Sequence, residues 1–219
     1  MPLASLDIIN AEIEAACKIA RRKAEDVSLV AVSKTRSADE IRPLLLAGHR
    51  VFGENRVQEA LDKWPDLRTD YPGTELHLIG QLQSNKAGEA VALFDCIHSL
   101  DRMSLVTALG KAMRERGKPV PCFLQVNIGE EEQKGGCAIA DLPTLLHAAK
   151  AEAIPIIGLM CLPPAHVEPA PYFALLAELA ARHGLEKLSM GMSNDFGTAI
   201  MLGATHVRVG TALFGERGT

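Results

Sequence analysis

The sequence predicts an α/β chain closed into a single (β/α)8 TIM-type barrel with one extra N-terminal helix. Three observations lead there. Eight short apolar runs are each followed by a polar or Gly-containing turn and then by a helical pattern. Strands that alternate with helices run parallel and are buried on both faces. Eight such units in about 190 residues suit a compact barrel, with a doubly wound open sheet as the alternative. No linker, low-complexity tract or composition shift marks a boundary, so residues 1–219 read as one domain.

In chain order, Ser5 is placed to cap a first helix, in which Ile9, Ile13, Ala16, Cys17 and Ala20 recur at spacings of three and four. Arg21-Arg22-Lys23 reads as the solvated last turn of that helix, where cations suit the dipole. The helix is expected on the outside or the bottom of the barrel. The apolar runs are Leu29–Val32, Arg50–Phe52, Leu76–Ile79, Cys96–His98, Pro121–Val126, Pro155–Met160, Leu188–Met190 and His206–Val209. Ser37-Ala-Asp-Glu40 and Asn55-Arg-Val-Gln58 read as capping boxes, and Asp101 and Asp141 stand where N-caps belong. Pro43 lies past the first turn of its helix and predicts a kink. Pro163, Pro164, Pro169 and Pro171 mark a loop before a helix around Tyr172–His183.

Composition narrows the function. Hydrophobic residues make up 47% of the 219, enough for a sizeable core. The net charge of −4 argues against a nucleic-acid or anionic-membrane surface. Aromatics at 4%, with one Trp, argue against stacking platforms for single strands. Cys17, Cys96, Cys122, Cys137 and Cys161 are scattered, with no CxxC and no Cys/His ligand spacing, so no metal site is expected and a reducing cytoplasm fits. The N-terminus lacks the basic start and apolar run of a signal peptide, and no membrane-spanning stretch occurs. GxGxxG, HExxH, GxSxG and P-loop patterns are absent.

Barrel chemistry sits at the C-terminal ends of the strands. The first run ends in Lys34, directly after Ala31-Val32-Ser33, where partial desolvation favours a neutral amine able to form an imine with an aldehyde. From spacing alone, the commoner reading is a lysine snorkelling to solvent. Asn55 follows the second run, equally as an N-cap. His77 lies inside the third, where a satisfied core histidine is the plain alternative. Asn85 and Lys86 fall in the next turn, equally as surface residues. Gln125 and Asn127 alternate along the fifth run and hint at a polar interior. The seventh run leads into Gly191-Met192-Ser193 and the eighth into Arg208-Val209-Gly210-Thr211, each opening a helix. Gly beside a hydroxyl at two adjacent strand–helix junctions fits a phosphate site. A lysine facing such a cradle fits pyridoxal phosphate, with Arg208 against the pyridine nitrogen; a salt bridge is the alternative for Arg208.

The motifs Ala31-Val-Ser-Lys34-Thr, Phe52-Gly-Glu-Asn55, Ile79-Gly-Gln-Leu-Gln-Ser-Asn-Lys86, Gly158-Leu-Met160, Leu188-Ser-Met-Gly-Met-Ser193 and Val207-Arg-Val-Gly-Thr211 resemble those of the pyridoxal phosphate homeostasis proteins, a group like the N-terminal domain of alanine racemase. The resemblance runs from about residue 5 to residue 215 and covers six ordered motifs. It implies a fold-type III barrel, Lys34 as the imine-forming lysine, a phosphate held by Ser193, Gly210 and Thr211, and Arg208 at the ring nitrogen, with Asn55 and His77 near the cofactor and Met192 among the cofactor-binding residues. One departure is Arg56, where the group often has an aromatic residue. The resemblance further implies a binder and carrier of pyridoxal 5'-phosphate in vitamin B6 and amino-acid homeostasis. Catalysis is not expected, because alanine racemase takes its second base from a C-terminal β domain across a dimer, which is not found in this sequence. The expected partners are pyridoxal phosphate and apo-enzymes that use it, and the expected state is a monomer. A small racemase-like enzyme and a cofactor-free class I aldolase-like barrel are the alternatives.

Overall fold

A computed structural model describes residues 2–215. Eight parallel strands close into a barrel in strict chain order. They are β1 (Ser28–Val32), β2 (Val51–Glu54), β3 (Glu75–Leu78), β4 (Cys96–Leu100), β5 (Cys122–Val126), β6 (Ile156–Cys161), β7 (Lys187–Ser189) and β8 (His206–Val209). All eight expected runs become strands, with ends displaced by two residues at most, so the closed barrel holds and the open sheet does not.

The helices are α1 (Pro2–Ile19), α2 (Ala38–Leu46), α3 (Val57–Asp70), α4 (Ala87–Leu93), α5 (Met103–Arg116), α6 (Leu142–Ala151), α7 (Ala170–Arg182), α8 (Phe196–Met201) and α9 (Thr211–Phe214). The extra helix α1 lies outside the barrel against α2, α8 and α9. Its apolar face buries Leu6, Ile9, Ile13 and Cys17. Ser5 falls inside α1 rather than at its cap. The helix ends at Ile19, so the basic triplet lies beyond it, where Arg22 Nη1 donates to Ile200 O at 2.9 Å.

Of the four interior caps the sequence predicts, two are found and two are not. Ser37 accepts from the Glu40 amide while Glu40 reaches back to Ser37 N, a closed capping box. The α3 cap is Arg56, without a side-chain bond, so the Asn55–Gln58 box does not form. The α5 cap is Arg102, and Asp101 instead accepts from Gly136 N at 3.3 Å. Asp141 does occupy the α6 cap position, again without a side-chain bond. Helix α2 runs uninterrupted through Pro43.

The barrel separates two interiors. Between strands and helices lies a continuous apolar layer that includes Phe52, Trp64, Phe94 and Phe173. Each such fully buried side chain contributes about 1.5–3 kcal/mol. Inside the barrel, Cys96, Phe123 and Met160 form a small apolar cluster beside buried polar groups: His77, His98, Ser189 and Arg208. Register explains the mixture. Neighbours in a parallel pair share a face, and the pairs Gly53–His77, His77–Cys96, Met160–Ser189, Ser189–His206 and Val30–Arg208 all point inward.

Candidate cofactor site

A cavity of about 940 Å³ opens at the C-terminal mouth of the barrel. It lies near the top of the range of roughly 300–1,000 Å³ typical of small-molecule sites. Lys34, Asn55, Met192, Ser193, Arg208, Gly210 and Thr211 all line it. Seven of the eight residues expected from the sequence are thereby brought together.

Lys34 sits half-buried in the turn after β1, followed by Thr35 at φ +60°. The strained turn is braced from behind. Lys63 Nζ donates to Ser33 O and to Arg36 O, both at 3.0 Å, and Thr35 N donates to Glu59 Oε1 at 2.5 Å. Lys63 is itself paired with the fully buried Glu54 carboxylate at 2.8 Å. Glu54 Oε1 also accepts from Ser33 Oγ at 2.6 Å and from Trp64 Nε1 at 2.9 Å. Sequence reasoning missed this brace, whose only signal was Glu54 ending an apolar strand.

Asn55 follows β2 into the cavity. Its backbone is crossed so closely by Gly80 that a Cβ there would lie 2.3 Å from Asn55 O. On the opposite wall the two junctions after β7 and β8 are tied together, since Ala212 N donates to Ser193 Oγ at 3.4 Å. Met192 N donates to Asp195 Oδ1 at 2.5 Å. Gly191 takes φ +93°, and a Cβ there would lie 2.6 Å from Ala199 Cβ. At Gly210 a Cβ would press Val32 Cβ at 3.3 Å.

Arg208 reaches the cavity floor from β8 and is only 4% exposed. Its Nη1 donates to Ser189 Oγ at 2.5 Å and its Nη2 to Cys161 O at 2.9 Å. Burial pushes the guanidinium down to about 10, which leaves it charged at neutral pH. The salt bridge considered from the sequence is not its role: its acceptors are a hydroxyl and a carbonyl.

His77 does not reach the cavity. Alternation along β3 sends Glu75, His77 and Ile79 inward, and it is Ile79, one layer higher, that lines the cavity wall. His77 Nδ1 instead meets His98 Nε2 at 3.0 Å in the barrel interior. Its ring Nε2 lies 3.7 Å from Glu75. His98 Nδ1 in turn meets Ser189 Oγ at 2.8 Å. Neither His98 nor Ser189 was singled out from the sequence. The signal available was the Cys96-Ile97-His98 alternation, which puts two polar side chains on one strand face. Ligand atoms of His77, Cys96 and His98 lie within 4.8 Å of one another, a proximity the spacing of the sequence did not suggest. The two facing nitrogens are already engaged with each other.

The remaining polar candidates serve the loops. Gln125 accepts from Gln81 Nε2 and donates to Gly135 O, both at 3.0 Å. Asn127 Nδ2 donates to Glu131 O at 2.9 Å. Lys86 pairs with Glu89 at 2.9 Å, and Asn85 lies in the short 3-10 turn Ser84–Lys86.

Residues 8–218 match the family model described as alanine racemase, N-terminal domain. A pyridoxal phosphate homeostasis protein of Pseudomonas aeruginosa is 42% identical over 215 residues, covering 95% of this chain and 93% of that protein. The Escherichia coli protein of the same name is 36% identical over 219 residues, covering 95% and 94%. Among solved structures, PipY of Synechococcus elongatus with PLP bound is 40% identical with a TM-score of 0.80, covering 93% of this chain and 100% of that one.

Proposed function

The chain belongs to the alanine racemase N-terminal-domain family, and on that premise we propose that it binds pyridoxal 5'-phosphate and acts in homeostasis of that cofactor. The observation that carries this reading is the convergence of Lys34, Arg208, Ser193 and Thr211 on one cavity. The residues present suit the group. The cavity offers a primary amine, a buried cation and two hydroxyls, one of them directly after Gly210. Pyridoxal phosphate supplies an aldehyde that condenses reversibly with a primary amine.

Each residue has a role in this reading. Lys34 presents the amine, and the Lys63 brace fixes the turn that carries it. Ser193, Gly210 and Thr211 would receive the phosphate, and Asn55 and Met192 border the cavity. Arg208 faces the ring nitrogen as a donor. A guanidinium surrenders its proton reluctantly, so the ring nitrogen opposite it stays an acceptor and the ring a weak electron sink. That favours holding and handing over the cofactor above chemistry at an amino-acid Cα. Reversible attachment suits delivery to apo-enzymes by a monomeric carrier in the cytoplasm, where the five cysteines, all free and buried, would stay reduced. Among the described residues no helix is long and apolar enough to cross a membrane.

The test is an absorbance titration of the protein with pyridoxal phosphate beside Lys34→Ala. The reading expects a saturable visible band in the wild type that Lys34→Ala abolishes. No band, or a band that survives the substitution, overturns it. Solvent exchange of an amino-acid α-proton by the loaded protein would replace the carrier with a racemase-like enzyme. A colourless protein trapped by borohydride only with a sugar phosphate would indicate an aldolase-like barrel.

A further inference from the structure

Below Arg208 the barrel holds a line of hydrogen bonds that the cofactor reading leaves unexplained. The hydrogen bonds run from Arg208 Nη1 to Ser189 Oγ at 2.5 Å, on to His98 at 2.8 Å and to His77 at 3.0 Å; beyond them the Glu75 carboxylate lies 3.7 Å from His77 Nε2, an ion-pair distance longer than a hydrogen bond. Arg208, Ser189, His98 and His77 are buried, while the Glu75 side chain is 63% exposed at the opposite, N-terminal end of the strands. The line therefore connects the cofactor cavity at one mouth of the barrel with solvent at the other.

Its direction follows from donor counting. Arginine has no acceptor, so Ser189 oxygen accepts from Arg208. The one hydroxyl hydrogen of Ser189 then goes to His98 Nδ1. Burial keeps His98 neutral, so its single ring hydrogen sits on Nε2 and goes to His77 Nδ1. The His77 hydrogen is left on Nε2, facing the Glu75 carboxylate. The reverse order strands the Ser189 hydrogen in a fully buried site and aims a bare His77 lone pair at a carboxylate, and both cost free energy. His206, 5.8 Å from His98 and 6.1 Å from His77 between ring centres, stands beside the line, its Nδ1 engaged with Thr205 Oγ1 at 2.9 Å.

We propose that Ser189, His98, His77 and Glu75 are positioning residues, a one-way chain through the barrel that holds Arg208 as a donor toward the cavity and transmits a change at the exposed floor to the bound cofactor. The part concerning the cofactor rests on the function proposed above; the chain and its direction do not. Every donor points away from the cavity, so Ser189 cannot donate to Arg208 or turn its hydroxyl toward a ligand. The guanidinium is fixed by two acceptors, and its remaining hydrogens are free for the cavity.

Two measurements on the full chain test this. In the protein without cofactor, side-chain ¹⁵N NMR of the histidines is expected to show both His77 and His98 as Nε2–H tautomers; a proton on His98 Nδ1 overturns the chain. In the second, the dissociation constant for pyridoxal phosphate is read from the visible band for Glu75→Lys and Glu75→Gln, each alone and with Ser189→Ala. Glu75→Lys is expected to change the constant at least about threefold, as coupled network residues do. Glu75→Gln keeps an acceptor for His77 and should restore the wild-type value. With Ser189→Ala present, Glu75→Lys should change nothing further. Equal effects of Glu75→Lys with and without Ser189, or no effect in either, overturn the transmission. Should the wild type show no band at all, the cofactor reading fails and transmission to the cofactor with it, while the tautomers still decide the chain.

Discussion

Lys63 and Glu54 form a buried ion pair at 2.8 Å, and the same ammonium ties down the carbonyls on either side of Lys34, those of Ser33 and Arg36. Neither charge can be removed cheaply. Glu54 is fully buried, and one of its oxygens, Oε2, has no partner among the described residues. Lys63→Met is therefore expected to cost about 3–5 kcal/mol of stability, as loss of one partner of a buried pair does. It should also loosen the Lys34 turn. Urea unfolding measures the first effect. Pyridoxal phosphate affinity, taken under conditions where the variant is folded, measures the second. A variant as stable as wild type would show that the pair does not brace the turn.

Two glycines with nearly equal backbone angles separate strain from crowding. Gly48 takes φ +90° with nothing within 4 Å of a built Cβ, whereas Gly191 takes φ +93° with Ala199 Cβ at 2.6 Å and Phe196 Cα at 2.9 Å. Gly48→Ala is expected to lose about 1–2 kcal/mol from the left-handed backbone alone. Gly191→Ala should lose that and a further 1–3 kcal/mol or so from overpacking. It should also disturb Met192 and Ser193, and with them phosphate binding. Thermal unfolding of the two variants side by side checks the difference; equal losses would mean that the Gly191 turn relaxes freely.

The barrel was legible because its signal is periodic. Eight apolar runs separated by helical patterns survive errors of two residues at any end, but they also fit a doubly wound sheet, and the pairing of β1 with β8 is what closes the barrel. The cavity residues were legible because a barrel concentrates chemistry at one mouth, so Lys34, Ser193, Arg208 and Thr211 could be read off strand ends. What failed was finer than one turn or one layer. The resemblance implies His77 near the cofactor, yet alternation buries it one layer lower against His98, as the plainer reading of a core histidine has it. Asn55 and Asp101 were taken for caps because caps and strand-end polar groups use the same residue types. Glu75 and His77 aside, the brace and the chain through the barrel join residues 9 to 91 positions apart, such as Glu54 with Lys63 and His98 with Ser189. No local pattern encodes those partners.

Acid should destabilise the fold well above the carboxylate range. Burial first, then the neighbouring Arg208 guanidinium, holds His98 well below its ordinary value of 6.5. Burial, then His77, Lys187 and Arg208, pushes His206 down to about 3. Between pH 6.5 and about 3 the unfolded chain binds a proton at His206 and the native chain does not, and His98 adds to this below pH 6.5. Stability is therefore complete above pH 6.5 and falls with pH across that window, by at most about 1.4 kcal/mol per pH unit for each histidine. Unfolding free energies from urea melts at pH 7.5, 6 and 5 measure the slope. His206→Gln should flatten it by one histidine's share; an unchanged slope would show that His206 titrates in the native barrel.

The two hydroxyls at the cavity wall give the last test, because their effect should depend on the ligand. Ser193 and Thr211 follow glycines at the junctions after β7 and β8, and both line the cavity with Arg208 and Lys34. If they receive the phosphate, each contributes a bond to a charged acceptor worth about 1.5–3 kcal/mol, roughly 10- to 150-fold in affinity. Ser193→Ala and Thr211→Ala should weaken pyridoxal phosphate binding by that order. Pyridoxal, which has the aldehyde and ring but no phosphate, should bind both variants as it binds the wild type. Ser193 also accepts from Ala212 N, so Ser193→Ala loosens the tie between the two junctions, and Thr211→Ala is the cleaner variant. A loss shared equally by both ligands would mean that the hydroxyls shape the cavity without touching the phosphate. A loss confined to the phosphorylated ligand sets these residues at the phosphate of the cofactor.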